Sequence, residues 1–362
     1  MLLALQVIFF ISTLVTIVYW SYFFNFDSSE KTPKQSSEKF ISVIICAHNE
    51  AENLKKFLPK IIQQHYRNFE IIVVNDRSTD ETEKIISSFP EVKCVNIEKT
   101  PIEWDAKKWA ITQGVSHAQG EYLLLTDADC YPKSEHWISE FNAAFEEKEI
   151  VIGVSFYETE KTLLNKFIQF ETLLTALCYI GFLKRGIPYM GVGRNIGYKK
   201  SIFQQFNFKG IQNLKGGDDD LTFQKLATKE NSKAIFSKNS QTLSIPQRTL
   251  STYLSQKRRH LHIGKYYSTK TKSVIGVFNL FSLLFWMSTC LLLIHNTIPY
   301  IKVMYLTMLF RTFTIIVTFV KQSNILDCSL RNAGWLFLEP ILILFTWIWG
   351  GFAQLFKLIK WK

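Results

Sequence analysis

The sequence has 362 residues, which accommodates one large domain or two modest ones, and 47% of them are hydrophobic. The formal net charge is +11, but the basic residues are dispersed and many flank apolar segments. This pattern excludes a nucleic-acid-binding stripe and favours attraction to an anionic membrane surface or to nucleotide phosphates. The six cysteines form no C-x-x-C pair, so we expect neither a zinc site nor a disulfide framework.

The first predicted element is a membrane anchor over residues 1–24. This segment carries no charged side chain, and a helix of that length spans the roughly 30 Å hydrocarbon core of a bilayer. It lacks the basic start and the small-residue cleavage site of a signal peptide. Residues 25–40 follow as a polar linker with Lys31, Lys34 and Lys39. Because basic residues favour the inner side of a membrane, we expect the next domain to be cytoplasmic.

The middle of the chain, residues 41–262, has the pattern of an α/β domain. Short apolar runs predict strands and periodic apolar spacing predicts helices between them: strands over 41–45, 69–76, 91–97 and 121–127, and helices over 50–65, 79–88 and 106–117. Continuous apolar strands that alternate with amphipathic helices indicate a mostly parallel, Rossmann-like sheet with helices on both faces. Ligands bind such sheets beyond the carboxyl ends of the strands.

Charged residues at these strand ends are the candidate site. Asp127 and Asp129 leave the fourth strand together, and paired carboxylates suit Mg²⁺ or Mn²⁺, which neutralises a diphosphate. Asp76 ends the second strand and can accept a hydrogen bond from a uracil or ribose edge. Lys107 begins a helix that faces the same crevice and could contact the diphosphate, with Lys108 as the fallback.

Two later segments complete the candidate set. GGDDDL, residues 216–221, places three carboxylates after a glycine pair. One of them could take a proton from an acceptor hydroxyl while a neighbour caps the following helix. In QKRRH, Gln256 and Arg259 lie one helical turn apart and could face a diphosphate or an acceptor from the membrane side. A basic cluster that meets only lipid headgroups is the alternative.

Residues 263–362 have the composition of a C-terminal membrane region with two or three transmembrane helices. Two long apolar runs cover 274–295 and 298–320. A third run, 335–356, carries Glu339 followed by a proline, so we expect it to be broken or re-entrant.

The segments CAHNE, VVNDRSTDET, AKKWAI, TDAD, GDDDL and QKRRH occur in this order between residues 46 and 260. As a set they resemble the family 2 glycosyltransferases with a GT-A fold. The resemblance is strongest to the membrane-bound branch that includes ceramide glucosyltransferases and cellulose, chitin and hyaluronan synthases. It implies inverting, metal-dependent transfer of a sugar from a nucleotide-sugar, here a UDP-sugar, in glycolipid or cell-envelope polysaccharide synthesis.

The same resemblance implies roles for individual residues. Asp218 corresponds to the family's catalytic base, and Asp129 to its direct metal ligand beside Asp127. Gly217 stands where the family often has Glu, which leaves the base between Asp218 and Asp219. The residues implied in donor binding are Ala47, Asn49, Glu50, Asp76, Lys107, Asp127, Gln256 and Arg259.

His260 departs from the family pattern because it stands where polymerising members carry Trp. We therefore expect a single transfer to a lipid-linked or membrane-borne acceptor. A processive polysaccharide synthase is the alternative within the enzyme class. A degenerate subunit that binds a nucleotide-sugar without turnover is the alternative outside it. In each case we expect an integral membrane protein that contacts membrane lipids.

Overall fold

A computed structural model of the chain describes residues 2–27, 37–294, 301–328, 330–341 and 343–344. The described residues form eleven α-helices: α1 (Leu2–Phe23), α2 (Ala51–Ile62), α3 (Thr82–Ser87), α4 (Ala106–His117), α5 (Trp137–Phe145), α6 (Leu163–Lys184), α7 (Lys200–Phe206), α8 (Asp220–Leu226), α9 (Leu250–Ile263), α10 (Thr269–Ile294) and α11 (Ile301–Ile325). Short 3₁₀-helices cover Lys238–Ser240, Gly264–Tyr266 and Leu330–Leu338.

The strands form two sheets. Their bounds are β1 (Ile41–Ala47), β2 (Phe69–Asp76), β3 (Val92–Ile97), β4 (Tyr122–Asp127), β5 (Cys130–Pro132), β6 (Ile150–Ile152), β7 (Ser155–Tyr157), β8 (Ile196–Lys199), β9 (Ser232–Ala234) and β10 (Thr242–Ser244). The larger sheet has the order β3-β2-β1-β4-β8-β6-β9, and the smaller one has the order β5-β10-β7. Strands β1 to β4 run parallel, whereas β8 is antiparallel to both β4 and β6. The predicted mostly parallel sheet is thereby confirmed.

Both faces of the central strands are buried, which explains their continuous apolar sequences. On β1, Val43 and Ile45 face the side covered by α2 and α5, while Ile44 belongs to the core on the opposite side. On β2, Val73 and Val74 are divided between the two faces in the same way. This alternation follows from the two-residue period of a strand. The parallel pairing of β1 with β2 and β4 places the carboxyl ends of these three strands at one edge of the sheet.

Four described helices are long and apolar enough to span a membrane: α1, α6, α10 and α11. The apolar window of α6 is 61% buried in the structure, whereas those of the other three are 28% buried. Tyr179 of α6 donates a hydrogen bond to the Gly153 carbonyl in the α/β domain at 3.3 Å. On the same helix Phe182 packs on Phe23 of α1 with ring centroids 4.9 Å apart. Helix α6, which the sequence analysis did not predict, therefore connects the α/β domain to the membrane helices.

The approach of α6 to α1 requires a glycine. A Cβ atom added at Gly181 would lie only 2.0 Å from the Phe23 carbonyl oxygen, a distance at which backbone must move. The absence of a side chain at this position lets the two helices pack directly against each other.

A buried polar network joins the C-terminal helices to α1. Arg311 of α11 is 2% exposed and pairs with Glu339, its Nη2 lying 3.1 Å from Oε2. The Arg311 Nε also donates to Thr16 Oγ1 of α1 at 2.9 Å. Ser282 of α10 donates to Glu339 Oε1 at 3.2 Å. Because buried charges are stable only when paired, this network fixes the segment around Glu339 against three helices.

The predicted linker is described at its two ends. Phe26 is buried and packs on Phe236 at a centroid distance of 5.7 Å, and Lys39 pairs with Glu146 at 2.6 Å. Residues 28–36, which include Lys31 and Lys34, lie outside the described residues, as do 295–300 and 345–362. Most of the third predicted apolar run therefore falls outside the described part of the chain.

Candidate functional site

A cleft of about 830 Å³ opens at the carboxyl edge of β1, β2 and β4. Its opposite wall is formed by α6, by the loop before β8, by the segment before α8 and by α9. Ten of the residues singled out by the sequence line it: Ala47, Glu50, Asp76, Lys107, Asp127, Asp129, Asp218, Asp219, Gln256 and Arg259.

Asn49 is the predicted donor-binding residue that the structure places outside the cleft lining. Its Oδ1 atom accepts a hydrogen bond from the Thr79 amide at 2.8 Å, and its own amide donates to Ser78 Oγ at 3.0 Å. Its φ of 57° is left-handed, a conformation that asparagine tolerates better than most residues. The side chain therefore joins the loop after β1 to the loop after β2 and positions the end of β2.

Asp76 lies at that strand end, where it is 6% exposed. The guanidinium of Arg77 donates to both of its oxygens, Nε to Oδ1 at 2.7 Å and Nη2 to Oδ2 at 3.1 Å. This fork fixes the carboxylate in one orientation. Each carboxylate oxygen has a second acceptor position, so Asp76 retains capacity for a ligand that enters the cleft.

Asp127 and Asp129 form the candidate metal centre. Their carboxylate oxygens and the Cys130 sulfur lie within 4.8 Å of one another. Burial raises the pKa of Cys130 well above its usual range, so the sulfur stays a thiol, and it donates to Asp129 Oδ1. Burial and the charge of Asp127 raise the pKa of Asp129. The oxygens of these two carboxyl groups are hard ligands, a set that fits Mg²⁺ or Mn²⁺.

Lys107 connects this centre to the acidic segment before α8. Its Nζ atom lies 3.0 Å from Asp127 Oδ1 and 3.1 Å from Asp218 Oδ2. Burial lowers the pKa of Lys107, but the attraction of Asp127, Asp218 and Asp219 outweighs it and raises the pKa well above its usual value. The ammonium is therefore charged and bridges the predicted metal ligand to the predicted base.

The glycine pair gives the turn that brings Asp218 to Lys107. Gly216 and Gly217 have φ values of 81° and 74°, which favour residues without a Cβ atom. Although burial raises the pKa of Asp218, Lys107 and Lys108 outweigh that effect and lower it. Asp218 is consequently ionised at neutral pH.

Asp219 has a different environment. Its Oδ2 atom accepts the Gly193 amide at 3.0 Å and its Oδ1 accepts the Asp220 amide at 2.8 Å, which caps α8. Burial and the neighbouring charge of Asp218 raise its pKa to about 6. Asp220 is buried, and its Oδ2 atom accepts a hydrogen bond from the Tyr267 hydroxyl at 2.6 Å. The three adjacent acids thus have three distinct partners.

Lys108 has a role that the sequence analysis missed. It is fully buried, does not line the cleft, and its Nζ donates to the carbonyls of Leu214 and Gly216. Asp105 lies 3.9 Å away and also caps α4. Lys108 therefore holds the turn that carries Asp218, rather than serving as a substitute for Lys107.

The wall opposite the sheet joins α9 to the rest of the domain. Gln256 Nε2 donates to the Tyr157 hydroxyl of β7 at 3.3 Å, and Lys257 forms an ion pair with Glu171 of α6. Glu171 and Arg194 line the cleft although no motif marks them. A carboxylate inside the apolar sequence of α6 is the signal that could have pointed to Glu171.

Comparisons of the sequence with known proteins all find similarity to glycosyltransferases. Residues 42–206 match the family described as "Glycosyl transferase family 2". The chain is 33% identical over 197 residues to the probable glycosyltransferase YdaM of Bacillus subtilis (strain 168), an alignment that covers 49% of the chain and 43% of YdaM. It is 36% identical over 93 residues to 4,4'-diaponeurosporenoate glycosyltransferase of Staphylococcus aureus (strain USA300), covering 26% of the chain and 24% of that protein. The chain thus matches less than half the length of these curated relatives.

Among solved structures, the chain is similar to mannosyltransferase PcManGT from Pyrobaculum calidifontis in complex with GDP-Man and Mn²⁺. The TM-score is 0.56, the sequence identity is 17%, and the match covers 99% of both chains. Identity at this level shows a likeness of fold alone. It confirms that the described sheet and its flanking helices have the GT-A arrangement.

The burial of Lys108 gives a first prediction. We expect Lys108→Met to lower the free energy of unfolding by about 1–3 kcal/mol, because it leaves buried carbonyls without a donor. Lys93→Met is the matched control and should cost less, since Lys93 also donates to a backbone carbonyl, that of His117, but in an exposed position. Thermal unfolding of the full chain in detergent measures both. A Lys108→Met variant as stable as the wild type would contradict the assigned role.

Proposed function

We propose that this chain, whose residues 42–206 match the family 2 glycosyltransferases, catalyses inverting, metal-dependent transfer from a UDP-sugar to a lipid-linked or membrane-borne acceptor. The observation that carries the proposal is that Asp127, Asp129 and Asp218 line one cleft together with residues of α6 and α9. Because α6 also packs on the membrane helix α1, an acceptor held in the bilayer lies close to that cleft.

In the proposed site, Asp127 and Asp129 hold Mg²⁺ or Mn²⁺, with Asp129 as the direct ligand. When bound, the metal neutralises the charge of the diphosphate leaving group. Lys107 lies beside Asp127 and supplies a second positive charge at the same place. The fold neighbour PcManGT was solved with GDP-Man and Mn²⁺, which supports the metal requirement.

Residues at the end of β2, on the same edge of the sheet as the proposed metal site, bind the nucleotide. Asp76, held by Arg77, accepts a hydrogen bond from the nucleoside. Ala47 and Glu50 line the adjoining wall of the cleft, where the donor lies. Gln256 and Arg259 of α9 complete the donor pocket from the opposite wall.

The displacement itself requires one base. Asp218 is ionised at neutral pH and takes the proton from the acceptor hydroxyl. The acceptor oxygen then forms a bond to the anomeric carbon as the bond from that carbon to the diphosphate breaks, which releases UDP. Attack on the face opposite the leaving group inverts the configuration.

The acceptor side supports a single transfer. His260 lines the cleft. At this sequence position, polymerising members of the membrane-bound branch have Trp. One curated relative is a 4,4'-diaponeurosporenoate glycosyltransferase, which is consistent with a lipid-related acceptor and a role in glycolipid or cell-envelope synthesis. A processive synthase is the second candidate. A subunit without turnover is disfavoured because the complete acidic set lines the cleft.

The proposed side of the membrane is the cytoplasmic one, where nucleotide-sugars are made. The lysines after the anchor support this orientation through the preference of basic residues for the inner side. Among partners we include the nucleotide-sugar, a lipid or membrane-borne glycan and the surrounding lipids, and no nucleic acid.

Metal dependence gives the second prediction. We expect EDTA to abolish UDP release from a UDP-sugar in the presence of acceptor, and Mn²⁺ or Mg²⁺ to restore it. Asp129→Asn should be inactive yet folded, because it removes one ligand charge. Asp327→Asn is the matched control, since Asp327 pairs with Lys133 outside the cleft. Full turnover in EDTA would contradict the proposed metal site.

The identity of the base gives the third prediction. Asp218→Asn should lower kcat by about 10²–10⁴-fold, the typical contribution of a general base, with UDP affinity nearly unchanged. Asp219→Asn should cost much less. An active Asp218→Asn variant beside an inactive Asp219→Asn variant would assign the base to Asp219 instead.

The pH profile of kcat tests the same assignment without mutation. A base must be deprotonated, so turnover is lost as the pH falls through the pKa of that base. With Asp219 as the base, kcat would decline as the pH drops through about 6. With Asp218, whose pKa is lowered, kcat should persist below that pH.

Membrane orientation gives the fourth prediction. A cysteine introduced at Ser29, in the predicted linker, should be shielded from an impermeant thiol reagent in intact cells. The same cysteine should react once the cells are permeabilised, which serves as the control. Equal labelling before and after permeabilisation would reverse the proposed orientation.

A further inference from the structure

Arg194 differs from three other cations that line the cleft. Each of those pairs with an acid: Arg77 with Asp76, Lys107 with Asp127 and Asp218, and Lys257 with Glu171. The Nη1 atom of Arg194 is buried, and no atom of the described residues accepts a hydrogen bond from it. The cleft lining therefore includes a guanidinium with one nitrogen, Nη1, whose donor capacity the described residues leave unsatisfied.

The guanidinium of Arg194 lies in a defined position. It is placed over the ring of Tyr157, with Cζ 4.4 Å from the ring centroid. Its backbone carbonyl accepts hydrogen bonds from Thr126 Oγ1 at 3.0 Å and Thr242 Oγ1 at 3.2 Å. Both the backbone and the side chain are thus held by contacts, as in a preformed binding site.

The charge of Arg194 is permanent at physiological pH. Burial lowers the pKa of the guanidinium, but Tyr157, Asp129 and Asp127 raise it, and the net shift is upward. A charged donor that is shut off from water is unfavourable unless a ligand supplies the missing acceptors. The planar fork of arginine matches the paired oxygens of a carboxylate or a phosphate.

The sheet order separates Arg194 from the nucleoside side of the cleft. Asp76 ends β2, whereas Arg194 precedes β8, and the order β2-β1-β4-β8 places three strand spacings between them. At about 4.8 Å per spacing this is roughly 14 Å, with the end of β4 and its two aspartates between. Register pairs Ile196 of β8 with Leu125 of β4, so Arg194 lies at the carboxyl edge of β4.

The remaining contacts place Arg194 on the acceptor wall. Its chain neighbour Gly193 donates to Asp219, beside the proposed base Asp218. The acceptor must present its hydroxyl to that base, so Arg194 lies next to the place where the acceptor reacts.

We propose that Arg194, stacked on Tyr157, forms an oxyanion subsite that holds a carboxylate or phosphate group of the acceptor. The inference rests on the proposed function for its assignment to the acceptor. It narrows the substrate class to an anionic, membrane-borne molecule whose reacting hydroxyl lies near its charged group. Arg194 offsets the repulsion between that group and the acids around Asp218.

Inorganic phosphate is the probe for this subsite. Titration of the full chain in detergent, in EDTA to exclude metal phosphate, should show saturable binding by calorimetry. Arg194→Met should weaken the affinity by about tenfold or more, the value of a lost charge-assisted hydrogen bond. Without phosphate, this variant should still unfold cooperatively, which shows that the lost affinity does not come from a loss of the fold.

Arg185→Met is the matched control. Arg185 also stacks on a tyrosine, with Cζ 4.3 Å from the Tyr22 centroid, but it lies outside the cleft lining. This variant should keep the wild-type phosphate affinity. Absence of saturable binding, or equal affinity in Arg194→Met, would overturn the subsite.

A second arm identifies the source of the oxyanion. UDP affinity in Mn²⁺ should be the same for Arg194→Met and the wild type, because the proposed metal site lies between this subsite and the nucleoside. An equal weakening of UDP and phosphate would assign Arg194 to the donor diphosphate and overturn the acceptor assignment. Arg194-dependent phosphate binding in a chain that transfers no sugar would instead contradict the proposed function alone.

Discussion

The ion pairs of Lys107 with Asp127 and Asp218 are the interaction on which the site depends. They join Asp127, at the end of a central strand, to Asp218, which follows about ninety residues later in the sequence. The bridge places one cation between the proposed metal ligand and the proposed base. Lys108, the next residue, holds the segment before Asp218 by hydrogen bonds to the carbonyls of Leu214 and Gly216. One turn of helix α4 therefore sets both the charge and the position of the acidic centre.

The second constraint is the packing of α6 between the α/β domain and the membrane helices. Its apolar length suffices for a span, yet most of its surface is buried within the structure. Glu171 of the same helix lines the cleft, while Gly181 allows close contact with α1. The helix thus connects the proposed acceptor wall to the candidate membrane helices, which is the arrangement that the proposed transfer to a membrane-borne acceptor requires.

The sequence predicted the features that depend on neighbouring residues. Strands β1 to β4 and helix α4 follow from local apolar patterns, and the strand-end rule located Asp76, Asp127 and Asp129. It did not predict the burial of Lys108, because the carbonyls that hold it lie more than a hundred residues away. The family resemblance implies a donor contact for Asn49, and only the structure shows its hydrogen bonds to Ser78 and Thr79 of the adjacent loop. Such assignments require tertiary contacts that no local pattern encodes.

We propose that the acidic cleft transfers a sugar from a nucleotide donor to a membrane acceptor. The most direct test is a donor panel: purified full-length protein in detergent, UDP- and GDP-sugars in turn, and nucleotide release measured with and without a lipid extract. We expect one UDP-sugar to release UDP and the lipid extract to accelerate this release several-fold. Release from none of these donors, by a protein that still binds UDP, would contradict the proposed transfer.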